Sequence, residues 1–201
     1  LEAETGLKVY YETGLVYFGP QGDELLGNSK ASAQQYGLKM NDLGMADAKR
    51  EYPIFSAIPD DWASMFEPEA GFLMVERCLR GYAAEAMKHG AVIRAHERVL
   101  EWTAKDGTIQ VCTEKETYEA EKMVVTAGAW TSRLLHDLNV PLKITRQVLG
   151  WVRPKGDWKP FMLGQCPCWF VSDPAQGLYY GKPIIPDSIP MGFKVGAHHH
   201  G

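Results

Sequence analysis

Between residues 117 and 135 the chain reads T-Y-E-A-E-K-M-V-V-T-A-G-A-W-T-S-R-L-L, and no other stretch narrows the choice of fold as much. Residues 123–126 form a short apolar run rich in β-branched side chains, long enough for a buried strand and too short for a helix. Ala127-Gly128-Ala129 carries almost no side-chain bulk, so the backbone there can turn sharply or lie against something flat. Trp130 then opens a predicted amphipathic helix with Leu134, Leu135 and Leu138 on its apolar side, stopped by Asn139 and Pro141. Strand, small turn and helix in succession make a common α/β connection, which by itself says little of function.

The flanks are built differently. Residues 1–5 read as the last turn of a helix closed by Gly6, followed by two aromatic-rich strands around Glu12-Thr13-Gly14, a hairpin signal. Residues 23–36 predict a helix ended by Gly37, and 46–52 a short polar helix ended by Pro53. A strand over 62–66, a turn at 67–71 and a helix over 75–89 follow. That helix repeats Val75, Leu79, Tyr82, Ala83, Ala86 and Met87 at helical spacing, with Glu76, Arg77, Arg80, Glu85 and Lys88 opposite, so one face is expected to be buried. Residues 91–94 read as a strand, and 98–113 as a hairpin around Lys105-Asp106-Gly107. Beyond Pro141 strand patterns resume, with several short aromatic strands between 161 and 195. The expected fold class is α+β: a mixed, largely antiparallel sheet with helices, interrupted by an α/β segment.

At 201 residues and 45% hydrophobic content the chain can bury a real core. A net charge of -4 argues against nucleic acid as a standing partner, and no apolar run approaches the roughly 20 residues a membrane helix needs. The start lacks the pattern of a signal peptide, and with four cysteines in no zinc or disulfide spacing, reduced thiols in the cytoplasm are expected. Leu1 in place of Met, and an end just after a histidine run, read as a piece of something longer. Gly22 to Ser29 superficially matches a phosphate loop, but Asn28 stands where its lysine must be.

Candidate chemistry gathers near the end. If residues 191–198 form a strand, Met191, Phe193 and Val195 share a core face, and Gly192, Lys194, Gly196 and His198 share the other. A lysine flanked by glycines on its own face stands over cleared backbone that a flat ring could approach; a solvated edge lysine also satisfies the pattern. Consecutive histidines on a strand cannot all face one metal, so no metal site is expected. Of Tyr179 and Tyr180, one faces a core and the other the opposite surface, where its hydroxyl could meet a polar ligand.

Taken together, Phe66 to Tyr82 (F-E-P-E-A-G-F-L-M-V-E-R-C-L-R-G-Y), Lys122 to Leu135, R-Q-V-L-G-W, G-L-Y-Y-G and G-F-K-V-G-A-H-H-H-G resemble the central part of the D-amino-acid-oxidase-like flavoproteins. The likeness is to the amine-oxidising branch that contains monomeric sarcosine oxidase and N-methyl-tryptophan oxidase. The resemblance implies FAD as cofactor, residues 71–140 as part of an FAD-binding domain, and 1–70 and 141–201 as parts of a substrate domain. It further implies that Val99, Ala127 and Gly128 contact the cofactor. Lys194 matches a lysine above the flavin that promotes reaction with oxygen, His198 an active-site histidine, and Tyr180 a tyrosine beside the substrate.

The implied chemistry is hydride removal from the carbon next to a secondary amine, with electrons passed on to O₂ to give hydrogen peroxide. The implied partners are therefore a secondary amine or N-methyl amino acid and O₂, in a monomeric enzyme. A glycine-rich N-terminal βαβ unit, the cysteine that links FAD in this branch, and the residues that hold the substrate carboxylate have no counterpart in these 201 residues. By themselves they are expected to bind FAD poorly and turn nothing over. Two rivals share the scaffold: a dehydrogenase handing electrons to a carrier, and a binding module without flavin.

Overall fold

The computed structural model describes residues 1–135, 140–186 and 188–198. Its first element is a one-turn helix, α1 (Glu2–Thr5), ended by Gly6 in the left-handed conformation. Strands β1 (Tyr10–Glu12) and β2 (Leu15–Gly19) follow, but not as the expected hairpin. β1 pairs antiparallel with β5 (Gly71–Leu73) in a separate two-stranded ribbon, while β2 enters the main sheet. Thr13 and Gly14 donate their N–H groups to Ala70 O instead of closing a turn between the two strands. Gly14 takes a positive φ of 70°, and a Cβ there would stand 2.2 Å from the Phe66 ring.

Helix α2 (Glu24–Tyr36) starts where the Asp23 carboxylate accepts a bond from the Leu26 N–H, and stops at Gly37 with φ 66°. After β3 (Asn41–Leu43), helix α3 (Met45–Glu51) is brought to an end by a 3-10 turn that starts at Pro53. β4 (Ala63–Glu67) and helix α4 (Val75–Lys88) complete the first half. The chain then forms β6 (Val99–Lys105), β7 (Thr108–Thr113), β8 (Thr117–Ala120) and the short helix α5 (Thr131–Leu134). It closes with β9 (Leu149–Val152), β10 (Cys168–Asp173), β11 (Gly177–Lys182) and β12 (Phe193–Ala197).

The chain divides into two compact units, Leu1–Tyr82 with Arg146–Gly201, and Ala83–Thr145. The first is organised by a seven-stranded sheet in the order β3-β4-β2-β10-β11-β12-β9, antiparallel throughout except for β2 beside β10. A mixed, largely antiparallel sheet was the expected architecture. One face carries the main core: Val16, Phe18, Trp169 and Phe193 pack against Met45 and Ala48 of α3 and against Phe55. On the other face, α2 covers only the part near β2 and β4, where Leu26 meets Tyr17 and Met65. The stretch of that face over β10, β11 and β12 is where chemistry can sit.

The second unit holds the antiparallel sheet β6-β7-β8. Its predicted hairpin forms, with Asp106 and Gly107 both at positive φ (51° and 78°), the pairing a tight two-residue turn needs. Several other expectations fail. Residues 91–94 and 123–126 are not strands: no described strand pairs with either, and Val124 is 84% exposed. A β-branched run becomes a strand only where a neighbour supplies donors and acceptors. The helix after Trp130 is a single described turn; Leu138 and Asn139 lie outside the described residues. Over residues 142–154 the described strand is β9 alone, while the short aromatic strands expected between 161 and 195 form as β10, β11 and β12. The apolar stripe of α4 is also not buried, since Val75, Leu79, Tyr82 and Met87 are all exposed.

Candidate functional site

Alternation along β12 sends Phe193 and Val195 into the main core and leaves Lys194 on the opposite face, as the sequence requires. β11 splits its tyrosines in the same way: Tyr179 packs against the core, and Tyr180 faces the side of Lys194. The register pairs Tyr180 with Gly196 and Lys182 with Lys194. Strand neighbours directly opposite project to the same side, so these groups share one surface. The Lys194 ammonium stands 5.6 Å from the centre of the Tyr180 ring, on the π face that attracts a cation. The His198 ring meets Tyr180 edge-on at 6.1 Å, and the His198 N–H donates to Leu178 O at 2.7 Å, extending the strand pairing past β12. Lys194, Tyr180 and His198 are thus brought together; His199 and His200 lie outside the described residues.

One expectation about the glycines changes. Gly192 and Gly196 do clear the backbone, but protein side chains fill the space. A Cβ on Gly196 would meet the Tyr180 ring at 2.8 Å, and one on Gly192 would meet Trp151 Cβ at 2.9 Å. The flat ring that Gly196 admits closely is therefore Tyr180's own, seated against the strand.

Residues not singled out from sequence complete the surface. Lys182 lies cross-strand from Lys194, with its ammonium 4.5 Å from the centre of the Phe72 ring. Phe72 stacks on Tyr11 at 5.2 Å, so the β1–β5 ribbon forms a wall beside the lysines. Cys168 sits behind them, buried, its N–H donating to Gly14 O and its sulfur 3.5 Å from Thr13 Oγ1. Burial pushes the Cys168 thiol upward, against the smaller opposing pull of Thr13 and the two lysines, so it is a neutral neighbour. The Lys182 ammonium is pulled below its ordinary range, first by burial and then by the charge of Lys194. Alternation from Tyr180 would have placed Lys182 on this face; its register against Lys194 had no signal in the sequence.

The other predicted residues lie in the second unit. Val99 opens β6 opposite Thr113, with Val99 37% exposed. Ala127 precedes the 3-10 turn Gly128–Trp130, in which Gly128 has φ 53° and open space where a Cβ would be. A cavity of about 690 Å³, lined in part by Thr13, Tyr52 and Cys166, opens in the first unit and contains none of the predicted site residues. Among the described residues no cluster of three or more His, Cys, Asp or Glu could hold a metal ion, and no helix is long and apolar enough to cross a membrane.

The chain belongs to the FAD dependent oxidoreductase (DAO) family, which it matches over residues 1–198. Among relatives, it is 32% identical over all 201 of its residues to N-methyl-L-tryptophan oxidase of Yersinia pestis and to that of Yersinia pseudotuberculosis. It spans about half, 52%, of the length of those proteins. Among solved structures, it is similar to NikD, an unusual amino acid oxidase essential for nikkomycin biosynthesis, with a TM-score of 0.74 and 22% identity over 99% of this chain and 52% of that one. Glycine oxidase from Geobacillus kaustophilus follows at 0.69 and 22%, covering 98% of this chain and 50% of that one.

Proposed function

We propose that this chain is part of an FAD-dependent oxidase of secondary amino acids, with Lys194, His198 and Tyr180 as its catalytic residues. FAD, when bound, accepts hydride from the carbon beside the amine and delivers the electrons to O₂. The observation that carries the reading is Lys194, an ammonium aimed at an aromatic surface and, among the described residues, without an ion-pair partner. A positive charge held ready in a partly desolvated site stabilises negative charge as it develops, with no reorganisation at that moment. Tyr180 bounds the substrate side and positions the lysine through its ring face, and His198 flanks Tyr180. In the unit Ala83–Thr145 we assign cofactor contacts to the backbone of Val99, Ala127 and Gly128. Gly128 supports this, since its unshielded, left-handed backbone leaves room for close approach.

The substrate class rests on the likeness to N-methyl-L-tryptophan oxidase, and we read it as an N-methyl or cyclic secondary amino acid. In the full-length protein, Lys194→Met should slow reoxidation of the reduced flavin by O₂ by about 10²–10³-fold, while flavin reduction by substrate changes only a few-fold. Stopped-flow absorbance of the two half-reactions separates them. Unchanged reoxidation would remove Lys194 from the oxygen step and point to a carrier as the acceptor.

A further inference from the structure

Two lysines directly opposite one another on adjacent strands are an unfavourable pairing, because like charges across a sheet repel. Here the pair is also half-buried. β11 and β12 bring Lys182 against Lys194, Phe72 covers the Lys182 ammonium on one side, and Tyr180 lies under Lys194. Neither lysine forms an ion pair among the described residues, and Glu76, in the first turn of α4, acts on Lys182 only through space. The remaining ionisable neighbour, Cys168, is a buried thiol held neutral by its surroundings. The lowered proton affinity of Lys182 follows from the same crowding.

We propose that Lys182 and Lys194 together form a carboxylate site on this face, with Lys182 as a specificity-determining residue for the acidic group of the substrate. A carboxylate between two ammonium groups turns their repulsion into two charge-assisted hydrogen bonds, and the Phe72 and Tyr180 rings keep water from screening them. Lys182 suits this task because it is paired in register with Lys194 and the Phe72 ring holds its ammonium over an aromatic face rather than out in solvent. The inference rests on the oxidase reading for its substrate. The shared chemistry is a carboxylate, either the one common to all amino acids or a second one on an acidic side chain.

The test uses the full-length flavoprotein and its Lys182→Met and Lys182→Arg variants. kcat/KM is measured with three secondary amines: a neutral N-methyl amino acid, an N-methyl amino acid with an acidic side chain, and the corresponding N-methyl amine lacking any carboxylate. Binding of glutarate and of butyrate, neither of which carries an amine to oxidise, is measured by calorimetry. Lys182→Met should lower kcat/KM for at least one carboxylate substrate by ~10–100-fold, leave the plain amine within about two-fold, and weaken binding of at least one probe by a like factor. Lys182→Arg should recover a large part of the loss. A loss on both amino acids assigns the site to the common carboxylate; a loss on the acidic one alone assigns it to the side chain.

An equal loss on the plain amine, or no loss on any substrate together with unchanged glutarate and butyrate affinity, would overturn the proposal. Failure of the oxidase reading looks different, because the unmodified protein would then oxidise none of the three amines. Calorimetry still decides the carboxylate site in that case.

Discussion

At the scale of single residues, the environment of each polar group decides its chemistry more than its identity does. Cys166 and Cys168 are two residues apart and both buried, yet the first donates to Pro167 O at 3.2 Å with no charged group shifting it, while the second borders Thr13 and two lysines. Burial pushes the Cys166 thiol up to about 12. An unfolded cysteine titrates near 8.5. The native state therefore holds a proton that the unfolded state has lost, and the stability this contributes is intact below about pH 8.5 and declines as pH rises from there toward 12. The expected outcome at pH 8 is that Ellman's reagent reaches the half-buried Cys78 and Cys112 in the native chain and Cys166 only after denaturant is added. Prompt native reaction at Cys166, located by peptide mapping, would contradict the assigned burial.

Elements show where local rules suffice and where they do not. The turn at Asp106-Gly107 was legible because both residues tolerate positive φ and the strands they join are adjacent in sequence. The hairpin expected at Glu12-Thr13-Gly14 was not, because β1 finds its partner in β5, where Tyr10 meets Leu73 far along the chain. A glycine beside a turn-forming residue announces a change of direction but not which strand receives it. On β12 the alternation held, and Gly196 has a second role that only packing reveals. Its missing side chain is the seat of the Tyr180 ring. Gly196→Ala should cost about 1–3 kcal/mol in urea unfolding, by forcing the ring or the strand to shift. It should also reduce turnover of the full-length enzyme, although Gly196 offers no functional group. A variant with native stability and native turnover would show that the ring is free to move aside.

For the whole molecule, burial is distributed unevenly. The first unit holds fully enclosed side chains such as Phe18, Val16 and Ile184, whereas Thr113 is the sole buried residue among the described residues of Ala83–Thr145. In that second unit Val92 and Trp130 are 75% and 65% exposed. Ordering each residue costs roughly 1–2 kcal/mol of backbone entropy, which apolar burial must offset. In the 201-residue chain, amide hydrogen exchange should therefore be slowest in β2, β10 and β11 and faster by orders of magnitude in β6–β8. Mass spectrometry of exchanged peptides checks this, and equal protection of the two regions would refute it.

The amino-acid sequence alone determined the helix ends at Gly6 and Gly37, the tight turn at Asp106-Gly107, the face of Lys194, the division of Tyr179 and Tyr180 between opposite faces, and membership of the flavoprotein family. Each of these depends on residues close together in the chain or on a pattern of several such stretches. The tertiary structure alone decided that β2 leaves β1 for β10, that the stripe of α4 and the run at 123–126 go uncovered, and that Lys182 stands against Lys194. Those outcomes depend on which distant strand supplies the next row of hydrogen bonds, and a periodicity of two along one strand carries no information about its neighbour's register.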